Sequence, residues 1–397
     1  MTNSKHPLEG NCLYFQSGGP TAVINTSFLG IYETFLSLKR EEKFFVSRYG
    51  ISSLLDESLE EVKGDYSFLR AKNGAHFGSL RKMLPMEEDA ELGNEIISHL
   101  QKYQIRYVFV NGGNDSMDTA YKINRYCLYH HFPAKVFGIP KTIDNDLFGT
   151  DHTPGFGSAA KFVANNVITL TRDEYSYKKG KILLIETMGR DSGYLAASSS
   201  LAALRGCKPD YIYVPEAEFD IESFLSKAMS LYERKGHAVI VLSEGIKDKN
   251  GALVAGQGKS DAFGNIIPGG VAGYLASLLQ KQGFPTRFVE LNTLQRSASY
   301  LLSKTDSEEA YEVGKKALLS ALDGATGKMV GMKRISEEPY QIEYILVDLA
   351  KCRKDATSMP VSYLNETGDN INDSFLIYAA PLVRGNVPVL EKDGLLS

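Results

Sequence analysis

The chain has no tryptophan, and it lacks most of what would tie it to a metal framework, a membrane or a nucleic acid. Its four cysteines, Cys12, Cys127, Cys207 and Cys352, are far apart and form no CxxC pair. That spacing excludes a zinc ribbon or a disulfide scaffold and suits free thiols in a reducing compartment. No apolar run approaches the roughly 20 residues of a membrane span. Residues 1–10, MTNSKHPLEG, lack the apolar core of a signal peptide, so a cytoplasmic protein is expected. There is no basic excess: 44 Lys and Arg stand against 48 Asp and Glu, a formal net charge of −4. This excludes wholesale nucleic-acid binding. Any anion must instead be held by a local, pre-arranged cluster. There is no GxxxxGK[ST] loop, no internal repeat and no low-complexity segment.

What is present is ample material for folded cores. The chain has 397 residues, 43% of them hydrophobic, which favours two domains over one. Short apolar runs rich in Val, Ile, Tyr and Phe predict strands at 12–15, 44–48, 106–110, 135–139, 181–186, 211–214, 238–242 and 287–291. Helical periodicity predicts helices at 92–103, 116–129, 159–171, 221–235, 271–282 and 307–322. Strand–helix alternation implies parallel sheets wrapped by helices. Right-handed crossovers then gather the strand-to-helix loops on one edge, where ligands bind. A domain change is expected near 153–157. The part after Gly327 is less regular and reads as trailing strands and a surface extension.

The chemistry collects in those loops. Gln16-Ser17-Gly18-Gly19-Pro20-Thr21 follows the first strand and opens a helix; its glycines let backbone N–H groups approach an anion. Asn111-Gly112-Gly113-Asn114-Asp115-Ser116-Met117-Asp118 combines glycines with oxygen ligands suited to a hard cation such as Mg²⁺. An ordinary Asp/Ser helix cap is the plainer alternative there. Ile139-Pro140-Lys141-Thr142-Ile143-Asp144-Asn145-Asp146 is the most informative, because one turn carries a cation, a hydroxyl and two carboxylates. A carboxylate so placed can take a proton from an attacking hydroxyl, and Lys141 can neutralise charge on a moving phosphoryl group. Glu186–Gly193, Leu242–Gly245 and Arg287–Arg296 add Arg and Glu at further strand ends, a set suited to a phosphorylated polyol.

Two patterns are set aside. Gly155-Phe156-Gly157-Ser158-Ala159-Ala160 matches GxGxxA, but the preceding TDHTP is no strand, as a dinucleotide fingerprint requires. His130-His131 has no partner cluster and reads as surface or packing.

Taken in order, SGG, GGxxS, PxTIDND, MGR, SEG and LQR resemble the phosphofructokinase family, and within it the pyrophosphate-dependent branch. The resemblance spans about Asn11 to Leu322. It implies an α/β protein of two Rossmann-like three-layer domains with parallel-rich sheets and an active site in the cleft between them. The donor domain would be 1–153 with about 297–345, and the sugar-phosphate domain 154–296 with about 346–397. It also implies reversible, Mg²⁺-dependent phosphorylation of fructose 6-phosphate to fructose 1,6-bisphosphate, a glycolytic step. By carry-over, Gly18, Gly19, Gly113 and Lys141 meet the donor phosphates, and Arg81 lies near the transferred group. Asp144 is the proton acceptor, and Thr142 and Ile143 line the substrate. Asn114 and Asp146 lie at the metal. Met188, Gly189, Arg190 and Glu244 hold the sugar, and Lys181, Arg287, Thr293 and Arg296 hold its resident phosphate. Some of those phosphate ligands come from a neighbouring subunit in the family, which implies a homodimer or homotetramer.

Donor choice rests on two positions. ATP-using members usually carry Gly at the places of Asp115 and Lys141. A carboxylate at 115 would meet the α-phosphate of ATP, while a lysine at 141 can take a pyrophosphate oxygen. Three residues depart from the family pattern: Asn114 replaces a metal-ligating Asp, Thr293 a Tyr or His, and Lys181 an Arg. Rival readings are an ATP-dependent kinase, a pyrophosphate-dependent kinase of a related sugar such as sedoheptulose 7-phosphate, and a non-catalytic regulatory subunit. The intact PKTIDND loop opposes the last.

Overall fold

The computed structural model describes residues 10–39, 41–260, 266–353 and 356–396. Residues 1–9, where no signal-peptide core was read, lie outside the described residues. The strands in chain order are β1 (Asn11–Gln16), β2 (Phe44–Val46), β3 (Glu60–Glu61), β4 (Ile105–Gly112), β5 (Lys135–Pro140), β6 (Ile182–Thr187), β7 (Tyr211–Tyr213), β8 (Ala238–Ser243), β9 (Gly256–Ser260), β10 (Ile266–Pro268), β11 (Thr286–Glu290), β12 (Lys328–Glu337) and β13 (Tyr340–Asp348). All eight predicted strands are present, shifted by a residue or two at their ends.

Period-two alternation builds the first sheet. In β1, Cys12 and Tyr14 enter one apolar cluster while Leu13 and Phe15 enter another on the opposite face. In β4, Tyr107 and Phe109 side with the first cluster, and Val108 and Val110 with the second. Both faces are therefore buried, as parallel sheets require. The sheet has seven strands in the order β13-β12-β5-β4-β1-β2-β3. Its centre, β12 through β2, is parallel; β3 and β13 are antiparallel edges. Helices Ile24–Ser37 and Lys304–Leu322 cover one face of it and pack against each other, backbone to backbone. A Cβ on Gly30 would collide with Tyr311 O, and one on Gly314 with Ser27 O. The second sheet is wholly parallel, in the order β11-β6-β8-β7. Leu183 and Ile185 face one core there, Ile182 and Leu184 another.

The stretch after Gly327 differs from the expectation. β12 and β13 form a long antiparallel hairpin, and only Lys328 and Met329 pair with β5, opposite Phe137 and Gly138. Its far half alternates exposed and half-buried residues, so it stands out from the core with a weak apolar signal. β13 runs to Asp348, and Leu349 and Cys352 sit in a core of the first sheet. That sheet therefore keeps the chain somewhat beyond the expected 345. Met359, Ile371, Phe375 and Leu382 then join a core of the second sheet. Among the described residues, no helix is long and apolar enough to cross a membrane.

Candidate active site

Strand register decides which loops become neighbours. Gln16 lies opposite Asn111, and Asn111 opposite Ile139. The chain thus leaves β1, β4 and β5 at one level, on the carboxyl edge. β1 also divides the sheet, with β2 on one side and β4 on the other. This is a topological switch point, where open α/β sheets bind ligands. Ser17 N donates to Asn111 O at 2.8 Å and Lys141 N to Gly112 O at 3.0 Å, which closes the loops together. In the second sheet Thr187 lies opposite Ser243, and Glu186 opposite Glu290. Met188, Glu244 and Leu291 therefore also emerge together. The two loop sets meet where Ser192 Oγ donates to Asp144 O at 3.1 Å.

The glycine loop is clasped by Lys141. That residue is only 2% exposed, and its Nζ donates to Ser17 O at 3.0 Å and Gly19 O at 2.5 Å. An ammonium has three N–H donors, so one remains. Gly18 has φ +76°, and the place a Cβ would occupy lies 3.6 Å from Lys141 Nζ and 4.0 Å from Arg81 Nε. At Gly19 the corresponding place is 2.7 Å from an Arg296 guanidinium nitrogen. Burial lowers Lys141 to about 7; Arg81 and Arg296 add to that shift, and Asp144 and Asp146 oppose it. Gly113 caps the start of helix Asn114–Tyr129, and a Cβ there would meet Lys141 O only at ordinary contact distance. The tight position is Gly112, a member of the expected loop not singled out as a phosphate ligand: a Cβ there would strike Ser116 Oγ and Ser17 O.

The carboxylate loop lies beside this clasp. Asn145 takes φ +57°, a left-handed conformation that Asn tolerates, and it separates Asp144 from Asp146. Burial raises the Asp144 carboxyl; Arg190 and Lys141 pull it back down, and Asp191 pushes it up. Burial, then the charge of Asp144, raises Asp146 to about 7, with a Thr142 side-chain hydrogen bond opposing. Asn114 Nδ2 donates to Asp146 Oδ2 at 2.9 Å. The remaining oxygens, Asn114 Oδ1, Asp146 Oδ1 and Asp144 Oδ1, are buried without a hydrogen-bond partner. Buried polar atoms are rarely left unpaired, and unpaired carboxylate and amide oxygens together suit a hard divalent cation. Among the described residues no cluster of three His, Cys, Asp or Glu could hold a metal, so an amide or the ligand itself would have to complete such a site.

The loops of the second sheet brace one another. Gly189 has φ +127°, and a Cβ there would strike Ser192 O. Ser243 Oγ donates to Gly189 O at 2.6 Å, and Gly189 N to Glu244 Oε1 at 3.1 Å. Burial raises Glu244 to about 7; the Gly189 N–H opposes this, and the Asp144 charge adds to it. Arg190 Nε donates to Asp191 Oδ2 at 2.7 Å. Met188 packs its side chain against the core below. Glu186, at the end of β6, accepts from Gly270 N at 3.0 Å and Ala272 N at 2.8 Å. It caps helix Val271–Lys281 and is not free for a ligand.

Arg296 does not sit apart with the other expected phosphate ligands. It lies over Gly19, and burial, then Arg81, lowers its pKa. Lys181 and Arg287 are elsewhere: Lys181 just precedes β6, and Arg287 pairs with Leu183 near the strand's amino end. Along β6, Arg287 lies about 17 Å and Lys181 about 23 Å from the level of Met188 at strand rise. Both side chains are exposed, and Arg287 reaches Asp173 at 3.5 Å. A single chain therefore does not bring these two to the Asp144 cluster. Ile143 is 5% exposed and buried in the second sheet's core, so only its backbone can line the cleft. Asp115 is exposed in the first turn of its helix, and Thr293 is exposed just before Leu294–Ser297. The GxGxxA segment opens helix Phe156–Glu174, and the Asp306 carboxylate accepts from Gly155 N at 2.8 Å and Ser158 N at 2.9 Å. An internal carboxylate thus fills that helix start.

Comparison with known proteins places the chain in one family. The Phosphofructokinase family model matches residues 11–321. The pyrophosphate–fructose 6-phosphate 1-phosphotransferase of Xanthomonas campestris pv. campestris is 38% identical, over 97% of this chain and 94% of its own. The protein of the same name from Halomonas elongata is 36% identical, over 94% and 92%. Among solved structures, the pyrophosphate-dependent phosphofructokinase of Marinobacter aquaeolei matches with a TM-score of 0.87 at 32% identity. That match covers 98% of this chain and 95% of the other.

Proposed function

Because the chain belongs to the phosphofructokinase family, we propose that it transfers a phosphoryl group reversibly from pyrophosphate to the 1-hydroxyl of fructose 6-phosphate, in the cytoplasm and with Mg²⁺. The observation that carries this reading is the convergence of Lys141, Arg81, Arg190 and Arg296 on the Asp144 loop, beside a glycine loop clasped by Lys141. Phosphoryl transfer asks a protein chiefly for positioning and for cations around the moving group, and this cluster supplies both.

On this reading each residue takes a role that its position supports. Asp144 accepts the proton of the attacking hydroxyl and returns it in the reverse direction. Lys141 holds the glycine loop with two N–H groups and offers the third to a phosphoryl oxygen. Arg81 and Arg296 flank the same loop. Asn114 and Asp146 would hold Mg²⁺, which neutralises phosphate charge and orients the donor. Arg190, Glu244 and the Met188–Gly189 backbone position the sugar. Asp115 places a negative group at a helix start that would otherwise favour a further phosphate, which disfavours ATP. On this reading the first sheet with the segment from about 297 is the donor side, and the second sheet with the C-terminal segment is the sugar side. Lys181 and Arg287 take the resident phosphate of a neighbouring subunit's substrate, in a homodimer or homotetramer.

The test is Mg²⁺-dependent formation of fructose 1,6-bisphosphate by the purified chain, with pyrophosphate or ATP supplied in parallel. Product from pyrophosphate alone supports the reading. Product from ATP alone keeps the chemistry and overturns the donor argument. A folded protein silent with both overturns the reaction.

Two further outcomes are expected. Lys141 stands at about 7 in the free protein, so it loses its charge as pH rises through that value. kcat/KM for pyrophosphate should then fall above about pH 7, by up to tenfold per pH unit. The bound anion keeps Lys141 protonated, so kcat should fall only at higher pH. Lys141→Met should flatten the limb in kcat/KM; a limb that survives in that variant belongs to another group. The second outcome concerns assembly. Asp144→Asn and Arg287→Ala should each be nearly inactive alone. Co-expressed, they should regain about a quarter of wild-type activity, since half the mixed dimers' sites carry neither change. Recovery no greater than the sum of the two parents would place Arg287 in its own chain's site or outside the site.

A further inference from the structure

The C-terminal segment lies beyond the residues that the family model matches, yet it reaches the carboxylate loop at two points. Thr357 N donates to Asp146 O at 2.8 Å. Asn145 Nδ2 donates to the Tyr378 hydroxyl at 2.8 Å, and that hydroxyl donates in turn to Asp151 O at 2.9 Å. The Asn145 Oδ1 accepts from Thr153 N at 2.9 Å. Asn145 is thus held on both sides in its left-handed conformation, with Asp144 before it and Asp146 after it. The same segment reaches the sugar-side turn: Glu216 Oε1 accepts from Gly193 N at 2.9 Å and Met359 N at 2.8 Å.

Tyr378 is itself firmly held. It is 6% exposed, and its ring packs against Tyr194, Tyr363 and Phe375. The Arg334 guanidinium lies over that ring at 4.6 Å and donates to Tyr378 O at 3.0 Å. Arg334 also donates to Asp151 Oδ1 at 3.0 Å, and that oxygen meets His152 Nδ1 at 2.7 Å. His152 Nε2 meets Glu309 Oε2 at 2.7 Å. The β12–β13 hairpin, helix Lys304–Leu322 and helix Asp373–Ala379 therefore converge behind one loop.

We propose that Tyr378 is a positioning residue for the phosphoryl-transfer centre, fixing Asp144 and Asp146 through its hydrogen bond to Asn145. This rests on the function proposed above. Nothing in it requires Tyr378 to touch a substrate.

The test compares Tyr378→Phe with Phe375→Leu. The first removes only the hydroxyl. The second loosens the same helix, since Phe375 is fully buried against the Tyr378 ring, and leaves Asn145 untouched. Tyr378→Phe should lower kcat about tenfold, the scale of one hydrogen bond lost at the barrier, with both KM values within about twofold of wild type. Phe375→Leu should lower Tm at least as far and keep kcat. In an Asn145→Gly background, which tolerates the left-handed conformation, Tyr378→Phe should cost little more. Equal kcat losses in Tyr378→Phe and Phe375→Leu, or full additivity with Asn145→Gly, would overturn the proposal. Should wild type transfer no phosphoryl group, the function fails first. Hydrogen exchange of the 144–153 amides then decides alone: Tyr378→Phe must speed it, and unchanged exchange rejects the strut.

Discussion

Replacing Asp144 by asparagine is expected to remove about 10²–10⁴-fold of kcat while fructose 6-phosphate still binds, the range that positioned general bases contribute. The substitution keeps the side chain's shape, so the turn around Asn145 need not move. What it removes is the charge that Arg190, Lys141 and Arg296 face. Those cations then lose one counter-charge, although Arg190 keeps Asp191, and they hold anionic ligands at least as well. KM for the sugar phosphate should therefore stay level or fall as kcat collapses. Titration calorimetry with fructose 6-phosphate would verify binding, and single-turnover kinetics would isolate the chemical step. Turnover near wild type would sink the base assignment. A lost binding signal would instead make Asp144 an anchor for the sugar.

The second large effect concerns donor choice. Asp115→Gly combined with Lys141→Gly is expected to cut pyrophosphate-dependent kcat/KM by about 10²–10³-fold, the cost of losing one strong donor to a transition-state oxygen. The same protein should begin to use ATP. The two changes act by different physics. At 115 the loss of an exposed carboxylate at a helix start lifts repulsion of a third phosphate. At 141 the loss of a buried ammonium leaves Ser17 O and Gly19 O without their donor. The glycine loop should then loosen, so a melting curve must accompany the assay. Continued rejection of ATP by the folded double variant would move donor choice to other residues.

Much of the fold could be read before the structure. Strands such as 135–139 and helices such as 221–235 carry strong periods, because each buries a whole face or both faces. The strand-end loops were legible because Gly, Asp and Lys together have no packing reason to follow an apolar run. What escaped were contacts without a period. Tyr378 meets Asn145 through one hydroxyl across 233 residues of chain. Glu216 is one carboxylate in a plain loop, and Glu186, read as part of a ligand loop, spends both oxygens on a helix start. The positions of Lys181 and Arg287 depended on which end of a strand each occupies, and motif order does not carry that. The β12–β13 hairpin was blurred because its outer half buries little and so alternates weakly.

The placement of β12 also bears on how the chain is made. A ribosome delivers β1 through β5 early, but the neighbour that completes the outer edge of β5 begins only at Lys328. Helix Lys304–Leu322, whose Gly314 seats against Ser27 O, arrives just before it. The second sheet, from Ile182 to Glu290, is contiguous and emerges complete in the meantime. The sheet whose first strands are translated earliest is therefore the sheet that closes last, and throughout that interval a bare strand edge must be kept from pairing with neighbouring nascent chains.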